Sequence, residues 1–257
     1  RPDDLGAFVE VLPGPFLYGD EKEERMIEHR YWIGKYPVTY SQYARFIEEG
    51  GYHREAWWSE DGWAWRKEKG RQQPGYWEND DYNNPIFSVV GVTWYEAEAY
   101  CRWLIEHLGA EEAVIQVQQG DQSMEIGLEP GTFKVRLPTE EEWERAARGT
   151  DGREYPWGDK FGFDKANVAE SLGQRIGTTA VCTYPQGVSP AGGWDMSGNV
   201  WEWTGSLYWK GSERFVLRGG SWYSDRRGAR CAYRFRYIPA NFSAYSGFRV
   251  VVSLGRF

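Results

Sequence analysis

Three threonines each stand three residues ahead of a glutamine or glutamate: Thr39 before Gln42, Thr93 before Glu96, and Thr139 before Glu142. In such a capping box the two side chains satisfy free backbone N–H groups at a helix start, so the spacing predicts three helices beginning there. After Thr93, Ala97, Tyr100, Cys101, Leu104 and Leu108 recur at helical spacing and give that helix one buried face. The first helix should stop at Gly50–Gly51 and the second at Gly109, where glycine takes the left-handed cap. Elsewhere the pattern is short runs between Gly and Pro, with Tyr31–Ile33, Phe215–Arg218 and Phe248–Val252 the best strand candidates. The chain reads as α+β, with few helices, short strands and much irregular backbone.

A length of 257 residues suits one large domain, and 15 Trp, 17 Tyr and 12 Phe supply much of its burial. Two stretches read as insertions. Residues 51–83 crowd Trp57, Trp58, Trp63, Trp65 and Trp77 among charges, and residues 110–131 are polar. The tryptophans could form a ligand platform, but a loop packing its own rings is the more economical reading. No segment repeats with the period of a solenoid or propeller. A net charge of −8 argues against nucleic acid as the partner. No run of about 18 apolar residues offers a membrane span. The chain begins at Arg1 rather than Met, so the lack of a leader carries no information. Cys101, Cys182 and Cys231 have no metal-ligand spacing, and His29, His53 and His107 share no motif.

Six motifs occur in order: "YWIGKYPVTYSQYARFI" (31–47), "PIFSVVGVTWYEAEAYCRWL" (85–104), "VRLPTEEEWERAARG" (135–149), "YPWGD" (155–159), "WDMSGNVWEW" (194–203) and "LRGGSW…GFRVV" (217–251). Together they resemble the formylglycine-generating-enzyme (sulfatase-modifying factor) family, whose fold is an elaborated C-type lectin fold. The resemblance covers nearly the whole chain apart from the two insertions. Within it the acidic trio Glu140, Glu141 and Glu142 is a helix start, where carboxylates favour the dipole, rather than an acid–base pair.

The family's enzymes hold copper with two cysteines five residues apart. Cys231 falls on the second position, but Arg226 occupies the first, and a guanidinium cannot ligate Cu(I). The three-histidine set of iron-dependent relatives is also missing. The resemblance therefore implies no copper and no enzyme activity. A residual copper oxidase and an inert structural member of the family stay open as alternatives.

The segment "YSDRRGARCAYRFRYIPANFSAYS" (223–246) further resembles the variable region of diversity-generating retroelement proteins, many of which carry this fold. Template adenines randomised at AAY codons never yield Glu, Gln, Lys, Met or Trp. Those five types make up about a quarter of this chain, and none occurs in the segment. Tyr223, Tyr233, Phe235, Tyr237 and Tyr245 would be rigid, amphipathic contact residues. Ser224, Gly228, Asn241 and Ser243 would be small, adaptable ones, a mixture like that of an antibody paratope, and Asp225, Arg227, Ile238 and Ala244 complete the variable set. These thirteen side chains should lie together on one exposed face, supported by Trp222, Arg234, Phe248 and Arg249. Arg226, Arg227, Arg230, Arg234 and Arg236 outnumber Asp225, which favours an unknown protein or surface ligand of acidic character. The resemblance implies a bacterial or phage origin and leaves the compartment open.

One family calcium site is matched in full, by the side chains of Asp195 and Glu202 and the carbonyls of Gly198 and Val200. A second is matched only at Asn167 and Val168. The bland alternative for "SGNVWEW" is a tight turn leading into a buried Trp pair.

Overall fold

The computed structural model describes residues 4, 6–109, 113–120, 122–171 and 176–255. Elements follow in the order β1 (Phe8–Val11), β2 (Gly14–Tyr18), β3 (Glu23–Ile27), β4 (Tyr31–Gly34), α1 (Tyr40–Glu48), α2 (Glu60–Lys69), α3 (Trp94–Gly109), β5 (Ala113–Gln119) and β6 (Gln122–Leu128). Then come β7 (Phe133–Arg136), α4 (Glu140–Arg148), β8 (Trp201–Leu207), β9 (Phe215–Arg218), β10 (Phe235–Tyr237), β11 (Ser246–Phe248) and β12 (Val251–Leu254). All three capping boxes form: Thr39 with Gln42, Thr139 with Glu142, and Thr93 with Glu96, whose carboxylate accepts from the Thr93 amide at 2.8 Å.

The strands build a six-stranded sheet in the order β6-β5-β1-β4-β12-β7, a four-stranded sheet β10-β9-β8-β11, and the hairpin β2-β3. The main core lies where α1 and α3 meet these sheets. There Tyr43, Phe46, Tyr52, Tyr100, Trp103 and Phe248 pack ring on ring, Tyr43 and Tyr100 stacked at 5.5 Å. A second core of Val9, Phe16, Ile33, Trp143, Met196 and Cys231 sits beneath α4.

Two expectations need correction. Phe248–Val252 is not one strand: β11 pairs in parallel with β8, and β12 joins the other sheet beside β4 and β7. The chain changes sheets at Arg249, whose fully buried guanidinium bonds Glu202 and the carbonyls of Gly34 and Trp194. The 51–83 stretch carries a helix, α2, although its packing reading holds: Trp57 and Trp58 are buried, and Trp77 stacks on Tyr40 at 3.8 Å. Within the second polar stretch, β5 and β6 pair antiparallel and extend the sheet through parallel pairing of β5 with β1.

Irregular backbone of this extent leaves many carbonyls without ladder partners, and buried arginines take them up. Arg148 donates to the carbonyls of Leu17, Gly19, Gly152 and Arg153 and pairs with Glu144. Arg218 also pairs with Glu144 and donates to Ala232 and Tyr233. The two buried cations share the Glu144 carboxylate and are otherwise satisfied as backbone staples, the kind of added hydrogen bonding that lets a buried ion pair be tolerated.

Candidate binding surface and metal site

The segment following Trp222 is tied down through its main chain. The carbonyls of Ser224, Pro239, Ser243 and Tyr245 accept from the backbone amides of Ala169, Trp94, Gly91 and Trp201. Those of Ala232 and Tyr233 accept from Arg218, and the Cys231 amide donates to Glu154. Trp222, buried, sends its indole N–H to the Ala244 carbonyl at 3.1 Å. Between these anchors β10 forms an edge strand against β9, with Phe235 opposite Leu217 and Tyr237 opposite Phe215.

The thirteen side chains singled out from the sequence divide in three. Tyr223, Asp225, Arg227, Ile238 and Asn241 are exposed, Tyr223 to 69 %. Ser224, Tyr233, Phe235, Tyr237, Ala244 and Tyr245 are half-buried. Gly228 and Ser243 are buried, which corrects the expectation that all thirteen face solvent. Ser243 is consumed by a turn: its amide and hydroxyl both donate to Ser246 Oγ, at 3.1 and 3.0 Å. A Cβ on Gly228 would meet that of Ser224 at 3.2 Å.

The half-buried rings form a continuous array. Phe235 and Tyr233 lie 5.2 and 5.8 Å from Trp201, and Tyr237 lies 6.1 Å from Trp203. The Tyr237 and Tyr245 hydroxyls share a 2.9 Å hydrogen bond, and Tyr245 stacks on Tyr223 at 6.0 Å. Burial and the bond to Tyr245 push the Tyr237 phenol up, so it stays neutral at physiological pH. Alongside β10 runs a groove of about 590 Å³, lined by residues 233–238 with Tyr208, Arg214 and Asn241. Tyr208 and the neighbouring Trp209, 56 % exposed, went unnoticed in the sequence. Their signal was an aromatic pair just before the Lys210–Gly211 turn of the β8–β9 hairpin.

The five arginines are less available than their number suggests. Arg226 pairs with Glu170, Arg227 with Asp225, Arg230 with Asp20 and Glu154, and Arg234 with Glu140. Arg236 lies over the Tyr208 and Trp209 rings, without a carboxylate at ion-pair distance among the described residues.

At the positions of the family's copper cysteines, Arg226 points outward, 5.4 Å from each of the Phe161 and Phe163 rings. Cys231 is sealed in the second core, and burial pushes its thiol well up, away from the thiolate a metal needs. All three cysteines are free thiols.

Of the four calcium ligands implied by the family, the two carboxylates, Asp195 and Glu202, lie near enough to interact electrostatically. Asp195 adopts a left-handed φ of 54° that aims it inward, and its Oδ2 is buried without a hydrogen-bond partner. Burial pushes its carboxyl up to about 7; Arg249 pulls it down, and the nearby Glu202 pushes it further up. Glu202 is fully buried; its Oε2 accepts from Arg249 and the Trp143 indole, and its Oε1 from Arg249. Two buried carboxylates share one guanidinium, and the unpartnered Asp195 oxygen is a hard donor of the kind a divalent cation takes. Asn167 Oδ1, at the partly matched second site, is likewise buried and unpartnered.

Residues 1–254 match the family model described as "Sulfatase-modifying factor enzyme 1-like domain". Hercynine oxygenase of Mycolicibacterium thermoresistibile is 30% identical over 96% of this chain and 56% of its own length. The protein of the same name from Mycobacterium tuberculosis is 31% identical over 94% of the chain and 57% of its own length, so the chain spans little more than half of these relatives. Among solved structures, Treponema denticola variable protein 1 superposes with a TM-score of 0.67 at 19% identity, covering 95% of this chain and 94% of that one. PvdO from Pseudomonas aeruginosa superposes with a TM-score of 0.68, also at 19% identity, over 96% and 94%. These likenesses show the elaborated C-type lectin fold. The oxygenase relatives overturn the expectation that the chain is not an enzyme: losing one copper cysteine is no ground for excluding catalysis in a chain that stands this near to oxygenases. Matched by one family model from residue 1 to residue 254, the chain belongs to the sulfatase-modifying factor enzyme 1-like family.

Proposed function

We propose that residues 223–246 form a ligand-binding surface diversified by a retroelement, with a protein or surface ligand as partner. One observation carries this reading: the segment's hydrogen bonds to the rest of the scaffold run through its backbone and its non-variable arginines, while its variable rings add packing against Trp201 and Trp203. Among the described residues, the side-chain hydrogen bonds of the thirteen end within residues 221–246. Those of Arg226, Arg230 and Arg234, outside the thirteen, reach Glu170, Asp20 and Glu140. A surface built to vary needs this division, because each draw of side chains must leave the scaffold bonds intact. The name of the Treponema denticola variable protein, which shares the fold, lends further support. An acidic group on the partner would meet Arg236, which has no carboxylate at ion-pair distance among the described residues. The test is genomic: a near-copy of the DNA for residues 220–250 beside a reverse-transcriptase gene, differing at template adenines. A flanking sequence with no such copy refutes diversification.

The same reading includes a structural calcium held by Asp195, Glu202 and the Gly198 and Val200 carbonyls. It would match the uncompensated Asp195 charge and brace the turn that leads into β8.

A second reading, oxidative catalysis, is favoured by the hercynine oxygenase relatives. Incubating the chain with hercynine, a thiol donor, Fe(II) and oxygen, and separately a cysteine peptide with Cu(I) and oxygen, tests it. Sulfur-bearing or formylglycine products by mass spectrometry establish it, and their absence removes it.

A further inference from the structure

On the far side of Ile238 from the β10 groove lies a second groove of about 630 Å³. Trp94, Tyr95, Phe215 and Ile238 give it apolar walls, with the Trp94 and Phe215 rings stacked at 4.1 Å. Its polar lining includes three carboxylates from three separate places in the chain: Asp61 on α2, Glu98 on α3 and Glu213 in the β8–β9 hairpin. Arg102 takes one Glu98 oxygen at 2.8 Å. Asp61 and Glu213, both exposed, have no cation at ion-pair distance among the described residues.

A second observation points the same way. Two residues that line this groove carry buried oxygens without a hydrogen-bond partner, Ser59 Oγ and Glu98 Oε2. Ser59 stands at the N-cap of α2, yet its hydroxyl makes no cap bond. Buried polar atoms left open are uncommon, and at the Glu98 oxygen what is missing is a donor.

We propose that this groove receives an arginine or lysine side chain of the polypeptide partner. An aliphatic stem suits the aromatic walls, a cation gains from ring faces, and its N–H groups answer the acidic lining. An acidic or purely apolar side chain satisfies none of the three carboxylates. Because Ile238 lines both grooves, a bound segment crossing it places a basic residue in this groove and an acidic one against Arg236. The proposal rests on the binding-surface reading for the polypeptide nature of the ligand. Its three carboxylates lie outside residues 223–246, so each can fail alone: a missing template copy leaves the groove standing, and an inert groove leaves the diversified surface standing.

The probe is a fluorescein-labelled hexapeptide of alternating arginine and glycine, read by anisotropy in physiological salt, with norleucine and glutamate counterparts. Binding of the arginine peptide alone is expected, weakened about tenfold in the Asp61→Asn/Glu213→Gln variant. Glu21→Gln/Glu24→Gln removes the same charge from the exposed β2–β3 hairpin and should change affinity less than about twofold, as a remote screened charge does. Equal weakening in both variants would reduce the effect to net charge and overturn the site. So would norleucine binding as tight as arginine, or displacement of the peptide by equimolar tetramethylammonium, which would mark a small-cation pocket instead.

Discussion

Replacing Phe248 by alanine separates scaffold from surface more sharply than any other single change. Phe248 is fully buried, edge-on to Tyr100 at 5.3 Å and to Tyr43 at 6.2 Å, rings that are themselves 3 % and 0 % exposed. Its backbone is held on one side by β8 and its carbonyl accepts from Val38, so the surroundings cannot collapse into the space the ring leaves. Loss of the ring should therefore cost about 3–5 kcal/mol, the range for large-to-small change in a rigid aromatic site. For a domain of this size that corresponds to roughly 6–20 °C in melting temperature. The comparison is a variant with Tyr223, Asp225, Arg227, Ile238 and Asn241 all replaced together by other small or aromatic residues. These five are exposed, and each should contribute no more than about 0.5 kcal/mol. Urea unfolding followed by tryptophan fluorescence and circular dichroism gives both values from the same measurement. If the fivefold variant loses as much stability as Phe248→Ala, the five side chains are structural, and the surface is not free to vary.

Three further outcomes follow from buried charge. Excess EGTA should lower the melting temperature by several degrees, since a ligand present at a hundred times its Kd contributes about 2.7 kcal/mol. Asp195→Ala should abolish that dependence, and a wild-type melting curve indifferent to EGTA would remove calcium. Glu144→Gln should cost about 3–5 kcal/mol in urea unfolding, because it leaves Arg148 and Arg218 buried without a counter-charge; a loss below about 1 kcal/mol would mean the pairs are solvated. Burial raises the Glu142 carboxyl, but the two-pronged Arg136 pair, at 2.6 and 2.7 Å, outweighs it and holds the group below its usual 4.5. A depressed carboxyl stabilises the fold above its unfolded value and loses that contribution as the pH falls through the folded one. The stability gap between wild type and Glu142→Gln should therefore narrow from pH 7 to pH 3, and a constant gap would show that the charge is not what matters.

What the sequence disclosed was local. A capping box is complete within four residues, so Thr39, Thr93 and Thr139 announced their helices without help from the rest of the chain. α2 escaped because Glu60–Lys69 has no periodic apolar face; only Gly62 within it is buried. Ile115 and Val117 alternate with glutamines and are buried in β5, a period-two signal hidden by the polarity of its surroundings. The break at Arg249 was not legible either, since its partner Glu202 lies 47 residues away. The same limit applies to the surface. Tyr, Phe and Ser in an odd mixture drew attention to residues 223–246, but the anchoring of the Ser243 carbonyl by the Gly91 amide, far off in the chain, left no trace there. The acidic groove depends on α2, α3 and the β8–β9 hairpin meeting beside Ile238, and no spacing in the sequence records that meeting.

That division between local and distant information bears on how such a surface can exist. A segment with little regular structure would normally be held by its own side chains, and changing them would unfold it. In this chain the cost of ordering the backbone is met elsewhere, by Arg218 on the Ala232 and Tyr233 carbonyls and by the amides of Gly91, Trp94, Ala169 and Trp201. The donors that matter are main-chain groups, which no substitution at the thirteen positions other than proline can alter, and one buried arginine held by Glu144. Arg218→Met should thus disturb the surface more than any exchange on the surface itself. It keeps much of the volume but withdraws two carbonyl partners from the approach to β10. Amide hydrogen exchange should show faster exchange across residues 231–237 in that variant, with α1 and α3 unchanged. Protection in 231–237 equal to wild type would mean that the segment holds its own shape, and anchoring by the scaffold would no longer explain its tolerance of variation.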